Sequence, residues 1–257
     1  MSEQQATYSS TWAELSEAIS GSSDPAYVQE KKQVEQQSKD WFAVRLGKFT
    51  ASRMPDLMGR GRGELFGAKA VNYVRLLIIE RTLAPDKVDE YIEQQMTSDF
   101  KQTRWGIKYE PEARAEFEKW LGKKVNKVTF RKGKYNFFGG SADFENLGIP
   151  GEIKCPYNVM VHQSNLDLQL TGIDKSHTYY AQIQAHIMNF NSPYCWFVSY
   201  DPRRESAMKL AVIKVDRDDE YISELEERLM IAEKAVTANI FEGITVYETL
   251  NGKKTKA

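Results

Sequence analysis

The stretch from Gly139 to Pro156 restricts what this chain can fold into more than any other part of it. Gly148, Pro150 and Gly151 punctuate apolar β-type runs, which predicts two short strands joined by a tight loop. Side chains alternate along the second strand, so Glu152 and Lys154 share one face while Ile153 points into a core. Pairing of the strands brings Asp143 close to Glu152, and two carboxylates and an amine then converge at a strand edge. Carboxylates are hard oxygen donors that suit Mg²⁺, and the Ile153 carbonyl can add another oxygen. A lysine beside them can hold a water or neutralise charge developing on a phosphate. In a chain with 28% charged residues the same pattern also describes a solvated hairpin with a surface salt bridge.

At 257 residues the chain has room for one large domain with appendages, and 5 Trp, 13 Tyr and 12 Phe are ample for its core. The 35 cations and 36 acids leave a net charge of −1, so an anionic partner must be met by local patches. Cys155 and Cys195 are too few for a disulfide framework or a cysteine zinc site and are expected as buried thiols in a reducing compartment. His162, His177 and His186 lack metal-ligand spacing and are expected in structural or surface roles. No apolar run reaches transmembrane length and no signal-peptide pattern opens the chain, so a soluble, cytoplasmic protein without a membrane partner is expected.

The first residues, to about 23, are polar, with Trp12, Leu15 and Ile19 at helical spacing; Asp24-Pro25 then starts a helix reaching Trp41. Gly47 breaks that helix, and Thr50 or Ser52 caps the next. Arg45, Lys48, Ser52 and Arg53 around a helix N-terminus make either a phosphate pocket or an ordinary capped helix with surface cations. Residues 66–83 read as a helix with Val71, Val74, Leu77, Ile78 and Leu83 in its core stripe. Glu110 shares the inward side of a further helix with Arg114 and Phe117, and such an acid needs a metal or the i, i+4 arginine as partner. From Lys123 to Lys134 six cations and no acids read as an edge strand and turn, either solvated or tracking a DNA backbone. A helix near Val159–Leu168, a helix placing Tyr179, Gln182 and His186 on one side, strands at 194–200 and 209–215, and a helix from Asp218 to about Ala238 follow. The tail from Gly243 is basic and is expected to be loose.

These motifs have a recognisable order. Val-Arg-Leu-Gly-Lys-Phe-Thr-Ala-Ser, Trp-Gly-Ile-Lys-Tyr-Glu-Pro-Glu-Ala-Arg, Ser-Ala-Asp, Gly-Glu-Ile-Lys-Cys-Pro, Tyr-Tyr-Ala-Gln-Ile-Gln and Ser-Tyr-Asp-Pro-Arg occur in turn between about Trp41 and Leu229. In this the chain resembles the lambda exonuclease, or YqaJ-type viral recombinase, family of the PD-(D/E)xK nuclease superfamily. The resemblance implies an α/β fold, a mixed central β-sheet flanked by helices in a restriction-endonuclease-like PD-(D/E)xK core. It implies Mg²⁺, with Mn²⁺ as substitute, held by Asp143, Glu152, the Ile153 carbonyl and the nearby Glu110. Lys154 would orient or activate the nucleophilic water, Gln182 would support it, and Arg45 and Ser52 would bind a 5′-terminal phosphate.

The implied activity is 5′-to-3′ digestion of linear duplex DNA from 5′-phosphorylated ends, leaving 3′ single strands for phage-type recombination. The implied partners are DNA ends, a single-strand annealing protein and two further copies in a homotrimer, in a bacterial host cell. An endonuclease, a single-strand nuclease and a non-hydrolytic end-binding scaffold are the alternatives. The expected organisation is an N-terminal arm with a helical segment at 1–39, the exonuclease domain at 40–240 and a tail at 241–257. Ser-Ala-Asp replaces the more usual Ser-Pro-Asp, and Phe144 stands where a glycine is common and narrows the hairpin. Pro111 follows Glu110 directly, so the helix is expected to kink or start there.

Overall fold

The structure, a computed structural model, describes residues 38–96 and 101–252. The N-terminal helical turns and the helix start at Asp24-Pro25 lie outside these residues. Helix α1 (Lys39–Arg45) is capped by Ser38, whose hydroxyl accepts the Trp41 N–H. Gly47, at φ 67°, turns the chain into the short strand β1 (Phe49–Thr50). A 3₁₀ turn over Ala51–Arg53 then leads into α2 (Met54–Met58). Neither Thr50 nor Ser52 caps a helix with its side chain, which corrects that expectation: Ser52 lies inside the 3₁₀ turn.

Helix α3 (Ala68–Arg81) buries Val71, Val74 and Leu77 as expected, with Ala70 and Tyr73 beside them. Helix α4 (Val88–Met96) precedes α5 (Lys101–Leu121), which continues through Pro111. A helix start at Pro111 is therefore excluded. One missing backbone donor is outweighed by the burial of Ala113, Arg114 and Phe117. Of the basic stretch before Lys134, only β2 (Arg131–Lys132) is a strand.

Strand β3 (Phe138–Gly140) is followed by β4 (Phe144–Asn146) and β5 (Ile149–Lys154). Their hairpin tip places Leu147 at φ 52° and Gly148 at φ 81°, the left-handed pair that two-residue hairpins favour. Helices α6 (Val159–Thr171) and α7 (Tyr180–Phe190) connect to β6 (Tyr194–Tyr200), β7 (Leu210–Asp216), α8 (Asp219–Glu242) and α9 (Val246–Asn251). Helix α9 corrects the expectation of a loose tail. Thr245 caps it, and Val246 and Leu250 bury themselves against the core of α3 and α8.

The strands form one sheet in the order β1-β3-β2 and a second in the order β4-β5-β6-β7, each with parallel and antiparallel neighbours. The mixed α/β architecture with flanking helices is thus present, its strands divided where the chain leaves β3 and turns through Ser141–Asp143. Helix α7 is buried on nearly all sides, touching α2, α8, β3, β5 and β6. That central position lets its polar residues reach the back of β5.

Candidate active site

Residues Asp143, Glu152 and Lys154 are brought together by the β4–β5 hairpin. The Asp143 N–H donates to the Gly151 carbonyl at 3.0 Å, and its carboxylate accepts the Ile153 N–H at 2.6 Å. A strand residue directs its N–H and C=O to the same neighbour, so the Ile153 carbonyl faces the Asp143 edge. Ile153 itself is buried against Phe117 and Phe144, as the alternation requires. Lys154 donates to Glu152 Oε1 at 2.5 Å, and its ammonium stands 4.7 Å from the centre of the Tyr179 ring.

Gln182, reaching across from α7, donates to the same Glu152 Oε1 at 2.5 Å. One turn further, His186 Nε2 lies 3.1 Å from Glu152 Oε2 and is fully enclosed. Of the structural or surface roles expected for His186, the structure shows a buried one, in contact with Glu152. Its signal was the i, i+4 spacing from Gln182 on a helix too apolar to face water.

Burial raises the Asp143 carboxyl well above the ordinary range, and the neighbouring Glu152 adds to the shift. Burial also acts to raise Glu152, but Lys154 and His186 overcome it and hold that carboxyl down at about 2. Lys154 is raised because Glu152 and Asp143 outweigh the opposing effect of its burial. The two carboxylates titrate as a coupled pair, Asp143 pushed up and Glu152 held down beside a raised amine.

Glu110 projects from α5 into the same cavity, where Arg114 bridges it at 2.5 Å and also donates to the Asp143 carbonyl at 3.0 Å. The arginine partner expected at i, i+4 is present, and it also ties α5 to the Asp143 turn. At the other end Arg45 donates to Ser52 Oγ at 3.2 Å and stacks 3.9 Å over the Trp41 ring. Burial pulls its guanidinium down to about 10. Trp41 in turn donates to Ser141 Oγ at 3.1 Å, which places a second hydroxyl near Arg45 that sequence reasoning did not single out.

Arg45, Ser52, Ser141, Glu110, Asp143, Glu152, Ile153, Lys154 and Gln182 all line one cavity of about 620 Å³. Among the described residues, no three His, Cys, Asp or Glu side chains are gathered closely enough to hold a metal ion alone. The donors nonetheless fit a hard divalent cation. They are the carboxylate of the buried Glu152, that of the half-buried Asp143 and a main-chain carbonyl, all oxygen donors.

This fold, with the Asp and Glu-x-Lys set at the end of a sheet, is that of the PD-(D/E)xK nucleases. The family model for the YqaJ-like viral recombinase domain matches residues 40–189, and the chain belongs to that family. Among solved structures, an alkaline exonuclease from Laribacter hongkongensis is 29% identical with a TM-score of 0.64, over 79% of this chain and 94% of that one. The same enzyme in complex with dAMP superposes with a TM-score of 0.63. A phage-related exonuclease from Haemophilus somnus 129PT, 17% identical, shares the fold with a TM-score of 0.58 over 77% of this chain and 96% of that one. No curated protein matches the chain. Family and neighbours together support a nuclease role in phage recombination. No helix among the described residues is long and apolar enough to cross a membrane.

Proposed function

We propose that the chain is a Mg²⁺-dependent 5′-to-3′ exonuclease that digests linear duplex DNA from 5′-phosphorylated ends. The observation that carries this reading is the shared cavity: the Asp143–Glu152–Lys154 set and the Arg45–Ser52 pair line the same space of about 620 Å³. That volume lies within the range of about 300–1,000 Å³ typical of small-molecule sites, room for a strand end rather than a duplex. A terminal phosphate on Arg45 and Ser52 would fix how far the strand enters. Backbone contacts suffice for digestion without sequence preference.

Asp143, Glu152 and the Ile153 carbonyl would hold the metal, with Glu110 beside them. When bound, the ion would supply positive charge that stabilises the negative charge developing on the phosphate and leaving oxygens during phosphodiester hydrolysis. Lys154, charged and backed by Tyr179, holds the attacking water on the phosphate, and Gln182 keeps the shared Glu152 oxygen in place. Water's oxygen bonds to phosphorus, the bond from phosphorus to the 3′ oxygen breaks, and a proton from the water ends on that 3′ oxygen by way of solvent. A 5′-mononucleotide leaves while the new 5′ end keeps the phosphate. The Laribacter enzyme in complex with dAMP holds a mononucleotide.

The 3′ single strands left behind would pass to a single-strand annealing protein in the bacterial cytoplasm, with the enzyme encircling DNA as a homotrimer. The exonuclease domain, expected over residues 40–240, would take in the segment through α9, which packs into the core of α3 and α8; an arm before residue 38 lies outside the described residues.

The test is digestion with Mg²⁺ of linear duplex bearing 5′-phosphate or 5′-hydroxyl ends, beside a closed circle. Rapid loss of the phosphorylated linear DNA alone, abolished in Glu152→Ala and Lys154→Ala, is expected. Cutting of the circle identifies an endonuclease instead, and tight end binding without cleavage identifies a scaffold.

A further inference from the structure

The segment that leaves β5 immediately after Lys154 is held from outside the cavity. Strands β5 and β6 are parallel, with Lys154 beside Ser199, so the chain just beyond β6 lies next to the chain just beyond β5. Beyond β6 stands Asp201, fully buried, followed by Pro202 in a turn closed by the Arg204 N–H on the Asp201 carbonyl.

The Asp201 carboxylate accepts three hydrogen bonds from one residue. Arg203 donates to Oδ1 from its backbone at 3.0 Å and from Nε at 2.8 Å, and to Oδ2 from Nη2 at 2.9 Å. The outer edge of the same guanidinium donates to the Pro156 carbonyl at 3.2 Å and the Tyr157 carbonyl at 3.1 Å. Its plane lies 4.5 Å over the Trp105 ring, which also meets the Tyr157 ring edge-on at 5.6 Å. Only Cys155 to Asn158 separate β5 from α6, and Arg203 binds two of those four carbonyls.

We propose that Asp201 and Arg203 form a clamp that positions the exit of β5, and through it both Lys154 and the cavity-lining Tyr157. Arg203 does not line the cavity, so it acts as a positioning residue and not as a catalytic one. Asp201 presents the guanidinium at a fixed angle, Trp105 supports its face, and the fork matches two consecutive carbonyls. Lysine cannot reproduce this, since its ammonium offers one point of attachment and no planar edge. The functional part of the inference rests on the nuclease reading, whereas the clamp itself does not.

Arg203→Lys and Arg203→Ala in the full chain separate the two. Amide hydrogen exchange by mass spectrometry is expected to quicken over residues 155–161 in both variants and to stay unchanged over β6 and β7. Single-turnover cleavage at saturating phosphorylated duplex should slow at least tenfold in both, while DNA-end affinity measured with Ca²⁺ stays within twofold. A drop in melting temperature with exchange quickened throughout would make Arg203 a general stability residue and overturn the proposal. Unchanged exchange at 155–161, or full cleavage by Arg203→Lys, would overturn it as well. If the wild-type chain fails to cleave, the nuclease reading falls, and the exchange measurement still decides whether the clamp exists.

Discussion

Phe144, which stands where a glycine is common in the resembled family, lies across Gly151 of the paired strand, and this contact gives a sharp stability prediction. A Cβ added at Gly151 would stand 1.9 Å from Phe144 Cζ and 2.2–2.4 Å from its neighbouring ring atoms. That ring cannot swing away, because it is fully buried with its centre 4.7 Å from that of Phe117. Gly151 has no positive φ, so Gly151→Ala introduces no backbone strain and the whole penalty is steric. Overpacking of a close-packed core costs about 1–3 kcal/mol. The opposing gain from restricting the unfolded chain is about 0.4–1 kcal/mol. A net loss near 1–2 kcal/mol follows, about 2–8 °C in melting temperature for a domain of this size.

The assay is a thermal melt followed by circular dichroism, with urea titration for the free energy. Phe144→Leu removes the clashing atoms, so the double variant should be more stable than the sum of the singles by at least about 0.5 kcal/mol. A Gly151→Ala protein as stable as the parent, or strict additivity with Phe144→Leu, would refute the reasoning.

Arg45→Ala should weaken the preference for 5′-phosphorylated ends by about ten- to a hundredfold, the worth of a charged hydrogen bond at about 1.5–3 kcal/mol, while some metal-dependent cleavage remains. Competition digestion of phosphorylated against hydroxyl ends checks it. Chelation by EDTA should stop cleavage, and added Mg²⁺ or Mn²⁺ should restore it; full activity in EDTA would remove the metal from the scheme. Lys48 is pulled down to about 8 by burial and by the nearby Lys132 and Arg81. Its charged form is disfavoured by folding, so this cost is full below about pH 8 and fades as pH rises towards the ordinary lysine value near 10.5. Relative to Lys48→Met, the wild-type melting temperature should therefore climb between pH 8 and pH 10; a constant difference would contradict the shift.

What the sequence disclosed was local. Glycine and proline punctuation marked the β4–β5 hairpin, alternation put Glu152 and Lys154 on one face, and the apolar run through Cys195 and Phe197 marked β6. Asp143 met Glu152 because a two-residue turn leaves little choice of register. The contacts that escaped are between residues far apart in the chain. Nothing in the spacing links Arg203 to the carbonyls of Pro156 and Tyr157, Trp41 to Ser141, or Arg114 to the Asp143 carbonyl. Pro111 does not begin the helix, because the buried flank of α5 carries it through the proline. The tail misled because its basic end drew attention away from Val246 and Leu250, whose apolar pairing needed α3 and α8 to be meaningful.

The parallel pairing of β5 with β6 has a consequence for the order in which this molecule assembles. The β4–β5 and β6–β7 hairpins are local and can close early, but β5 meets β6 only after α6 and α7 have been threaded between them. Until then Glu152 sits in water without Gln182 or His186, and Arg203 has no carbonyls to hold. The step that closes the crossover is thus the one that dehydrates Glu152, and a form with the two hairpins apart lacks the contacts that Gln182 and His186 make to it. Heat that parts β5 from β6 should silence the site and dissolve the core in a single transition.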